Sequence, residues 1–267
     1  DEKLTMLMTG QKLGYEGYRP QDQNGDVLLE VKNLSRQGSF RDIDLTLRRG
    51  DILGITGLLG SGRTELAQAL FGLHPADAGE IRIEERAVRI RSPQDAKALG
   101  IGYVPENRLV QGLIMQQSVG KNIVITILDR LLNRLGLIDL RKTQARADQG
   151  IQELTIKVPS AEAPAETLSG GNQQRVVLAK WIATEPSILI LDGPTVGIDV
   201  AAKSAIHDIV RNLAQEGVGI ILISDEISEV YHNCNRVLVM HKGRLLAEFD
   251  PAQVTEDEIQ ACISGAG

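Results

Sequence analysis

The sequence feature that most constrains the fold is a glycine-rich segment at residues 57–64, which reads Gly-Leu-Leu-Gly-Ser-Gly-Arg-Thr. An apolar run typical of a buried strand precedes it at residues 52–56, and a helix start follows at residues 65–71. The segment fits the pattern G-x-x-x-x-G-K-[ST], except that Arg63 stands in the lysine position. Glycines let the backbone approach a phosphate closely, and N–H groups at a helix start point towards the anion. The sequence therefore predicts a strand, a phosphate-binding loop and a helix in this order.

Two side chains with oxygen ligands are predicted to hold a magnesium ion beside this loop. Thr64 ends the glycine-rich segment, where its hydroxyl can ligate the ion. Asp192 ends a second apolar run, residues 188–192, which also has the composition of a buried strand. Magnesium prefers oxygen ligands, and a loop threonine and a strand-end aspartate commonly supply them beside a phosphate. Thr64 and Asp192 are therefore the expected metal ligands.

A third motif, residues 168–175, reads Leu-Ser-Gly-Gly-Asn-Gln-Gln-Arg and stands shortly before the strand that ends in Asp192. We expect it to begin a helix over about residues 172–183, with Ser169 and the backbone N–H groups of Gly170 and Gly171 as its cap. A serine hydroxyl beside the free N–H groups of a helix start forms an anion site. This motif is followed closely by the strand that ends in Asp192. The combination indicates that one nucleotide is held between two domains that each carry these motifs.

Together these motifs resemble the nucleotide-binding domain of ABC transporters. The strings GLLGSGRTE and LSGGNQQR are most similar to the second, C-terminal ATPase half of the tandem subunit in bacterial sugar importers of the ribose, galactose and arabinose type. The resemblance covers nearly the whole chain, and we assign residues 26–265 to this domain. It implies an α/β fold: a P-loop NTPase with a RecA-like core sheet, an antiparallel β subdomain and a helical subdomain. The helical subdomain, at about residues 107–185, would carry the signature motif. Alternation of strands and helices along the chain independently favours α/β.

The resemblance implies two sets of contact residues and two further positions. The nucleotide-binding set is Gly57, Leu58, Leu59, Gly60, Ser61, Gly62, Arg63, Thr64 and Glu65. The signature set, which in ABC dimers closes on the γ-phosphate held by the other domain, is Leu168, Ser169, Gly170, Gly171, Asn172 and Gln173. Glu106 falls where a glutamine usually touches magnesium and senses the permease, and Asp199 lies in the loop that meets the opposite domain.

The resemblance also implies ligands, partners and a location. The ligands are ATP and Mg²⁺. The partners are the N-terminal nucleotide-binding domain of the same polypeptide, transmembrane permease subunits and, indirectly, a periplasmic sugar-binding protein. The resemblance places the chain peripherally on the cytoplasmic face of the bacterial inner membrane. No apolar run reaches the roughly 18 residues of a spanning helix, so we expect any membrane attachment to come from partners. The transported sugar is not indicated, since the permease and the binding protein would select it.

Three positions depart from a hydrolytic ABC site. Gly193 follows Asp192 where a glutamate is expected, and groups that position or deprotonate water contribute about 10²–10⁴-fold to a rate. The family's C-terminal half normally keeps this glutamate. Asp225 replaces the switch histidine, and we expect it and Glu226 to repel a triphosphate. Arg63 keeps the charge of the loop lysine but is bulkier. We therefore expect nucleotide binding with impaired hydrolysis.

Two other functions stay open. One is a catalytically inactive regulatory half, a pseudo-ATPase that binds nucleotide and only supplies the signature. The other is a non-transport ABC ATPase that acts on DNA or ribosomes. A net charge of −6 argues against nucleic acid as a partner, because phosphate contacts need clustered Lys and Arg. The arginines within residues 82–91 are interleaved with Glu84 and Glu85, as on a solvated strand face.

The first residues suggest a preceding domain. The chain begins with Asp1 rather than Met, and residues 1–10 match residues 256–265 in character, with acidic residues first and glycine last. We interpret residues 1–10 as the last helix of a preceding copy, with a chance match as the alternative. Residues 11–25 are rich in Gly, Tyr and Gln, as expected of a linker.

Further predictions concern single elements and side chains. The pattern predicts one alternating strand over residues 81–90 and helices over residues 121–135 and 140–154. Trp181 is expected in the core, whereas His74 and His207 are expected at the surface. Adenine recognition stays open, because Phe40 is the only aromatic residue shortly before the loop, and it does not lie at the offset that the resemblance leads us to expect.

Overall fold

The computed structural model describes residues 18–20 and 25–265, which form two sheets flanked by helices. The predicted tail at residues 1–10 and most of the predicted linker lie outside the described residues. The strands are β1 (Val27–Arg36), β2 (Phe40–Arg48), β3 (Ile52–Thr56), β4 (Ala78–Ile83), β5 (Arg86–Val88), β6 (Ile101–Val104), β7 (Ile188–Asp192), β8 (Gly219–Ile223), β9 (Arg236–His241) and β10 (Arg244–Phe249).

The larger sheet has the spatial order β10-β9-β3-β8-β7-β6. Strands β9, β3, β8, β7 and β6 run parallel, and β10 joins the edge antiparallel to β9. Successive side chains alternate between two cores: Leu189 and Leu191 pack on one face, and Ile188 and Ile190 pack on the other. Burial on both faces explains why the central strands β3, β7 and β8 read as almost continuous apolar runs. The carboxyl ends of these parallel strands meet at one edge of the sheet.

Helices cover both faces of this sheet. They are α1 (Arg63–Leu70), α2 (Pro93–Ala98), α3 (Val119–Val124), α4 (Leu140–Glu153), α5 (Gly170–Ile182), α6 (Val200–Gln215), α7 (Ile227–Asn233) and α8 (Glu256–Gly265). A π-helical turn (Arg108–Gly112) and two 3₁₀ turns (Ile125–Leu131 and Ala165–Thr167) complete the segment between β6 and β7, in which α3, α4 and α5 lie. In the described part of the chain, no helix is both long and apolar enough to cross a membrane.

The smaller sheet is antiparallel, in the order β2-β1-β4-β5. The single strand predicted over residues 81–90 is wrong: β4 and β5 form a hairpin in which Ile81 pairs with Val88. Glu84 and Glu85 make the turn with φ angles of 46° and 66°, a left-handed geometry that is unusual outside glycine and asparagine. Arg82 donates to Glu80 at 2.6 Å, so this arginine is paired with a carboxylate on the strand surface.

The helix predicted over residues 121–135 is also interrupted. Helix α3 ends at Val124, and the chain continues as the 3₁₀ turn with a non-helical Ile127 (φ −125°, ψ 18°). Five β-branched residues in succession, 123–127, lower the helix propensity here. The hydroxyl of Thr126 donates to the carbonyl of Lys180 at 2.8 Å and fixes the kink against α5. By contrast, α4 begins and ends within one residue of its prediction.

His207 is buried, so its prediction as a surface residue is wrong. Its Nε2 lies 3.1 Å from Oε1 of Glu229, and this carboxylate also accepts hydrogen bonds from the hydroxyls of Thr195, at 2.7 Å, and Ser224. Burial alone would raise the pKa of Glu229, but His207 and the two hydroxyls hold it below its ordinary value. The network joins α6 and α7 to the segments that follow β7 and β8.

We expect Glu229→Gln to lower the free energy of unfolding by about 2 kcal/mol at pH 7, because a buried charged acceptor loses its partners. The folded-state pKa is depressed, so the carboxylate stabilises the fold above its unfolded pKa and this contribution disappears as pH falls through the folded value. Urea unfolding at pH 7 and in the acid range should therefore show the loss shrinking on acidification. Exposed Glu216→Gln serves as the control, and an equal loss at both pH values would contradict the assignment.

Candidate functional site

The glycine-rich loop connects β3 to α1, and two of its glycines are required by close approach of the backbone. Gly57 has φ 151°, and a β-carbon there would lie 2.0 Å from the carbonyl oxygen of Met240. Gly62 has φ 101°, and its β-carbon would lie 2.9 Å from the carbonyl oxygen of Ser39. Gly60, with φ 76°, faces open space. The loop is therefore packed tightly on one side and open on the other.

The open side of the loop borders a cavity of about 390 Å³. Its walls are residues 59–65 of the loop, Glu106 after β6, Asp192 and Gly193 at the end of β7, and residues 223–225 at the end of β8. The hydroxyl of Ser61 is buried here and has no hydrogen-bond partner among the described residues. A cradle of backbone N–H groups at the start of α1, with an unpartnered hydroxyl, fits an anion such as a phosphate.

The two predicted metal ligands are brought together in this cavity. The hydroxyl of Thr64 donates to Oδ1 of Asp192 at 3.2 Å, and the hydroxyl of Tyr103 donates to Oδ2 at 3.1 Å. Burial, with a smaller contribution from the nearby charge of Glu106, raises the pKa of Asp192 to about 6 despite these bonds. A hydroxyl and a carboxylate at this spacing are hard oxygen ligands and fit a magnesium ion.

The side chain of Arg63 is held against the end of β8. The side chain is buried, its Nη1 donates to the carbonyl of Ser224 at 2.7 Å, and its Nη2 forms an ion pair with Asp225. Asp225 is thus paired with a cation. Glu226 is paired as well, because its carboxylate accepts a hydrogen bond from Nζ of Lys203 at 2.6 Å. Sequence reasoning treated these two carboxylates as repulsive and missed both pairs. The guanidinium of Arg63 is therefore paired with Asp225, the residue at the position where the switch histidine was expected.

Gly193 adopts a left-handed conformation with φ 56°. A β-carbon at this position would lie 3.0 Å from Cγ2 of Val196 and 3.1 Å from Cγ of Glu106. Val196 and the side-chain stem of Glu106 therefore border Gly193 closely. The glutamate that the resemblance leads us to expect at this position would need these side chains to shift by a few tenths of an ångström.

The signature motif opens α5, which begins at Gly170, two residues earlier than predicted. Ser169 is exposed, and its hydroxyl makes no bond to the N–H groups of the first helical turn. Instead, the Ser169 hydroxyl accepts a hydrogen bond from Nδ2 of Asn172 at 3.0 Å. The prediction that this hydroxyl caps the N–H groups of the first helical turn is therefore wrong. Gly171 is buried, and a β-carbon there would lie 2.6 Å from that of Ala202 on α6. The motif does not line the cavity at the loop of its own chain.

Arg108, which sequence reasoning missed, joins three of the predicted site segments. Its Nη1 and Nη2 donate to the carbonyls of Val196 and Gly197 at 2.7 and 3.2 Å, and its Nε contacts Oε1 of Gln173 at 3.5 Å. Asp199 follows on the exposed surface and caps α6 by accepting from the N–H of Ala202 at 2.9 Å. An isolated arginine in a polar stretch gives no sequence signal for such a bridge.

A second cavity, of about 450 Å³, adjoins the loop through Gly60. Its walls are residues 35–41, Lys242 and Gly243. Phe40 also borders it, but only 3% of this residue is exposed because it packs in the core between the sheets. Trp181 packs against both cores, in accordance with its prediction, with Phe71 edge-on at a centroid distance of 5.2 Å.

Comparison with known proteins agrees with this geometry. A family model described as ABC transporter matches residues 40–196, which is more than half of the chain. The chain belongs to the ABC transporter family. A solved structure of cbiO1 from Clostridium perfringens, part of the ABC transporter complex cbiONQ, has a TM-score of 0.74 and 25% identity over 88% of this chain and 93% of that one. The predicted P-loop α/β fold is confirmed.

Two relatives of this chain within the ABC family are import ATP-binding proteins for sugars by name. A ribose/galactose/methyl galactoside import ATP-binding protein of Burkholderia cenocepacia is 44% identical over 259 residues, or 97% of this chain and 51% of that protein. A ribose import ATP-binding protein of Rubrobacter xylanophilus is 41% identical over 258 residues, or 97% and 52%. This ABC chain therefore spans about half the length of these relatives.

We expect Gly57→Ala to destabilise the fold by about 4 kcal/mol, because the methyl group meets the Met240 carbonyl and the backbone conformation is strained. Gly60→Ala is the matched control, since it has a positive φ but open space, and should cost about 1–2 kcal/mol. Urea unfolding measures both. Equal losses would show that the close approach at Gly57 does not matter.

We expect Asp225→Asn to strengthen binding of Mg-ATP by about 3- to 10-fold, because Arg63 no longer has a competing carboxylate. Glu226→Gln removes the adjacent carboxylate, which is paired with Lys203 rather than with the loop, and should change the affinity less than about twofold. Isothermal titration calorimetry gives both values. Weaker binding in Asp225→Asn would contradict the competition.

Proposed function

We propose that this chain is a nucleotide-binding domain of an ABC-type sugar importer, with two half-sites that serve different nucleotides. Its own loop binds Mg-ATP, and its signature, residues 168–173, completes the site on a partner domain. The observation that carries the proposal is the separation of the two: Ser169 is exposed and lies outside the cavity that the loop borders. The names of the two relatives support sugar import as the process that ATP drives.

Different residues of the cavity would bind the phosphates and the magnesium ion. Backbone N–H groups of residues 57–65 hold the phosphates, and Thr64 and Asp192 hold magnesium. When bound, magnesium neutralises charge on the phosphoryl oxygens. The same cavity lacks the usual hydrolytic groups, because Gly193 has no side chain and Arg63 is paired with Asp225. Slow turnover at this site follows, while the signature can still act on a partner.

The relatives' length supports a larger assembly. Because the chain spans about half of each, the other half is the natural place for the N-terminal nucleotide-binding domain. We accordingly interpret residues 1–25 as the end of that domain and a linker. The two nucleotide-binding domains together would drive transmembrane permease subunits. A periplasmic sugar-binding protein would deliver the sugar. The chain would act peripherally at the cytoplasmic face of the inner membrane.

A catalytically inactive, regulatory half is the second candidate, and the same two observations favour it: the ion pair of Arg63 with Asp225 and the absence of a side chain at Gly193. Release of phosphate by the purified chain separates the candidates. Sustained magnesium-dependent release that is lost in Asp192→Asn contradicts an inactive half. Binding of Mg-ATP without any release supports it.

We expect Thr64→Ala and Asp192→Asn each to weaken magnesium-dependent ATP binding about tenfold, because each removes one oxygen ligand. Thr143→Ala on α4, whose hydroxyl bonds to the carbonyl of Asp139, is the matched control and should bind as the parent does. Calorimetric titrations with and without EDTA measure the effect. Magnesium dependence that survives in both variants would refute the assigned ligands, and failure of the parent to bind ATP would refute the proposed function.

A further inference from the structure

The strand register places Glu106 beside Gly193. Strands β6 and β7 are parallel, and Val104 pairs with Leu191. Glu106 and Gly193 each lie two residues beyond this pair, so the two chains leave the sheet side by side. The contact follows from this: a β-carbon at Gly193 would lie 3.1 Å from Cγ and 3.7 Å from Cβ of Glu106.

The loop that bears Glu106 is held to the loop after β7. The N–H of Arg108 donates to the carbonyl of Glu106 at 3.2 Å, and the Arg108 guanidinium donates to the carbonyls of Val196 and Gly197. These bonds bridge the segments that follow Glu106 and Gly193. The position of Glu106 is therefore fixed by two backbone segments, and not only by its own side-chain packing.

The Glu106 carboxylate is available for chemistry. It lines the cavity together with Thr64 and Asp192, and it makes no hydrogen bond or ion pair with any residue that the structure describes. Three other carboxylates of this edge are engaged: Asp192 with two hydroxyls, Asp225 with Arg63 and Glu226 with Lys203. Glu65 on α1 also borders the cavity, but Glu106 is the acid whose side chain lies against Gly193, the position where a glutamate is missing.

We propose that Glu106 takes over the role of the absent glutamate and is the catalytic base of the slow hydrolysis at this site. The inference depends on the proposed function, because it requires ATP in this cavity. In the step, the water oxygen forms a bond to the γ-phosphorus while a water proton moves to the Glu106 carboxylate. The bond from the γ-phosphorus to the bridging oxygen breaks, and ADP leaves with that electron pair. The carboxyl group then releases its proton to solvent.

The test compares the parent chain with Glu106→Gln, which keeps the shape but cannot accept the proton, and Glu226→Gln as the matched carboxylate control. Single-turnover phosphate release is measured at equal chain concentration, and Mg-ATP affinity is measured by calorimetry. We expect Glu106→Gln to lower the rate at least tenfold while its affinity stays within twofold, and Glu226→Gln to behave as the parent does.

A second readout does not depend on the rate. After incubation with Mg-ATP and rapid gel filtration, nucleotide bound to Glu106→Gln should be recovered as ATP, while that bound to the parent should contain more ADP. A parent rate in Glu106→Gln, or a parent that binds Mg-ATP without measurable turnover, overturns the inference and leaves nucleotide binding intact. A tenfold loss of Mg-ATP affinity with a higher magnesium requirement also overturns it, because Glu106 would then be a metal ligand. A parent that does not bind Mg-ATP overturns the proposed function itself.

Discussion

The parallel pairing of β3, β8, β7 and β6 is the constraint on which the rest of the structure depends. The pairing of β7 with β8 aligns Asp192 with Ile223, and the pairing of β6 with β7 aligns Val104 with Leu191. The loop after each strand therefore leaves the sheet at the same edge, beside the glycine-rich loop after β3. This one alignment brings the glycine-rich loop, the candidate metal ligands Thr64 and Asp192 and several carboxylates into a single cavity, although they lie far apart in sequence.

Charge pairing then decides what this cavity can do. Arg63 forms an ion pair with Asp225, and the side chain of Glu106 lies beside Gly193. The loop backbone is set independently of these side chains, by Gly57 against Met240 and Gly62 against Ser39. In the proposed function, binding and hydrolysis are therefore separable: the loop that would hold the phosphates is retained, whereas the groups that would act on water differ. Ser169 of the signature motif takes part in neither of these contacts and does not line the cavity.

The sequence predicted the features that local chemistry determines. The glycine-rich loop, the strand ending in Asp192 and the helix after Ser169 all follow from short, contiguous patterns. The hairpin at Glu84 and Glu85 was missed because neither residue is a usual turn former with positive φ. Pairs such as Arg63 with Asp225 and His207 with Glu229 join residues that are 162 and 22 positions apart. Such pairs are set by strand register and helix packing, which no single-sequence pattern specifies.

The proposed function requires that one nucleotide is held on the loop of this chain while its signature reaches a second nucleotide on the partner nucleotide-binding domain. It is tested most directly by a structure of this chain together with that partner domain, trapped with magnesium and a non-hydrolysable ATP analogue. The account predicts that the Ser169 hydroxyl donates to the γ-phosphate seated on the partner domain. A trapped complex in which Ser169 touches no phosphate, or turns back to the nucleotide of its own chain, would contradict it.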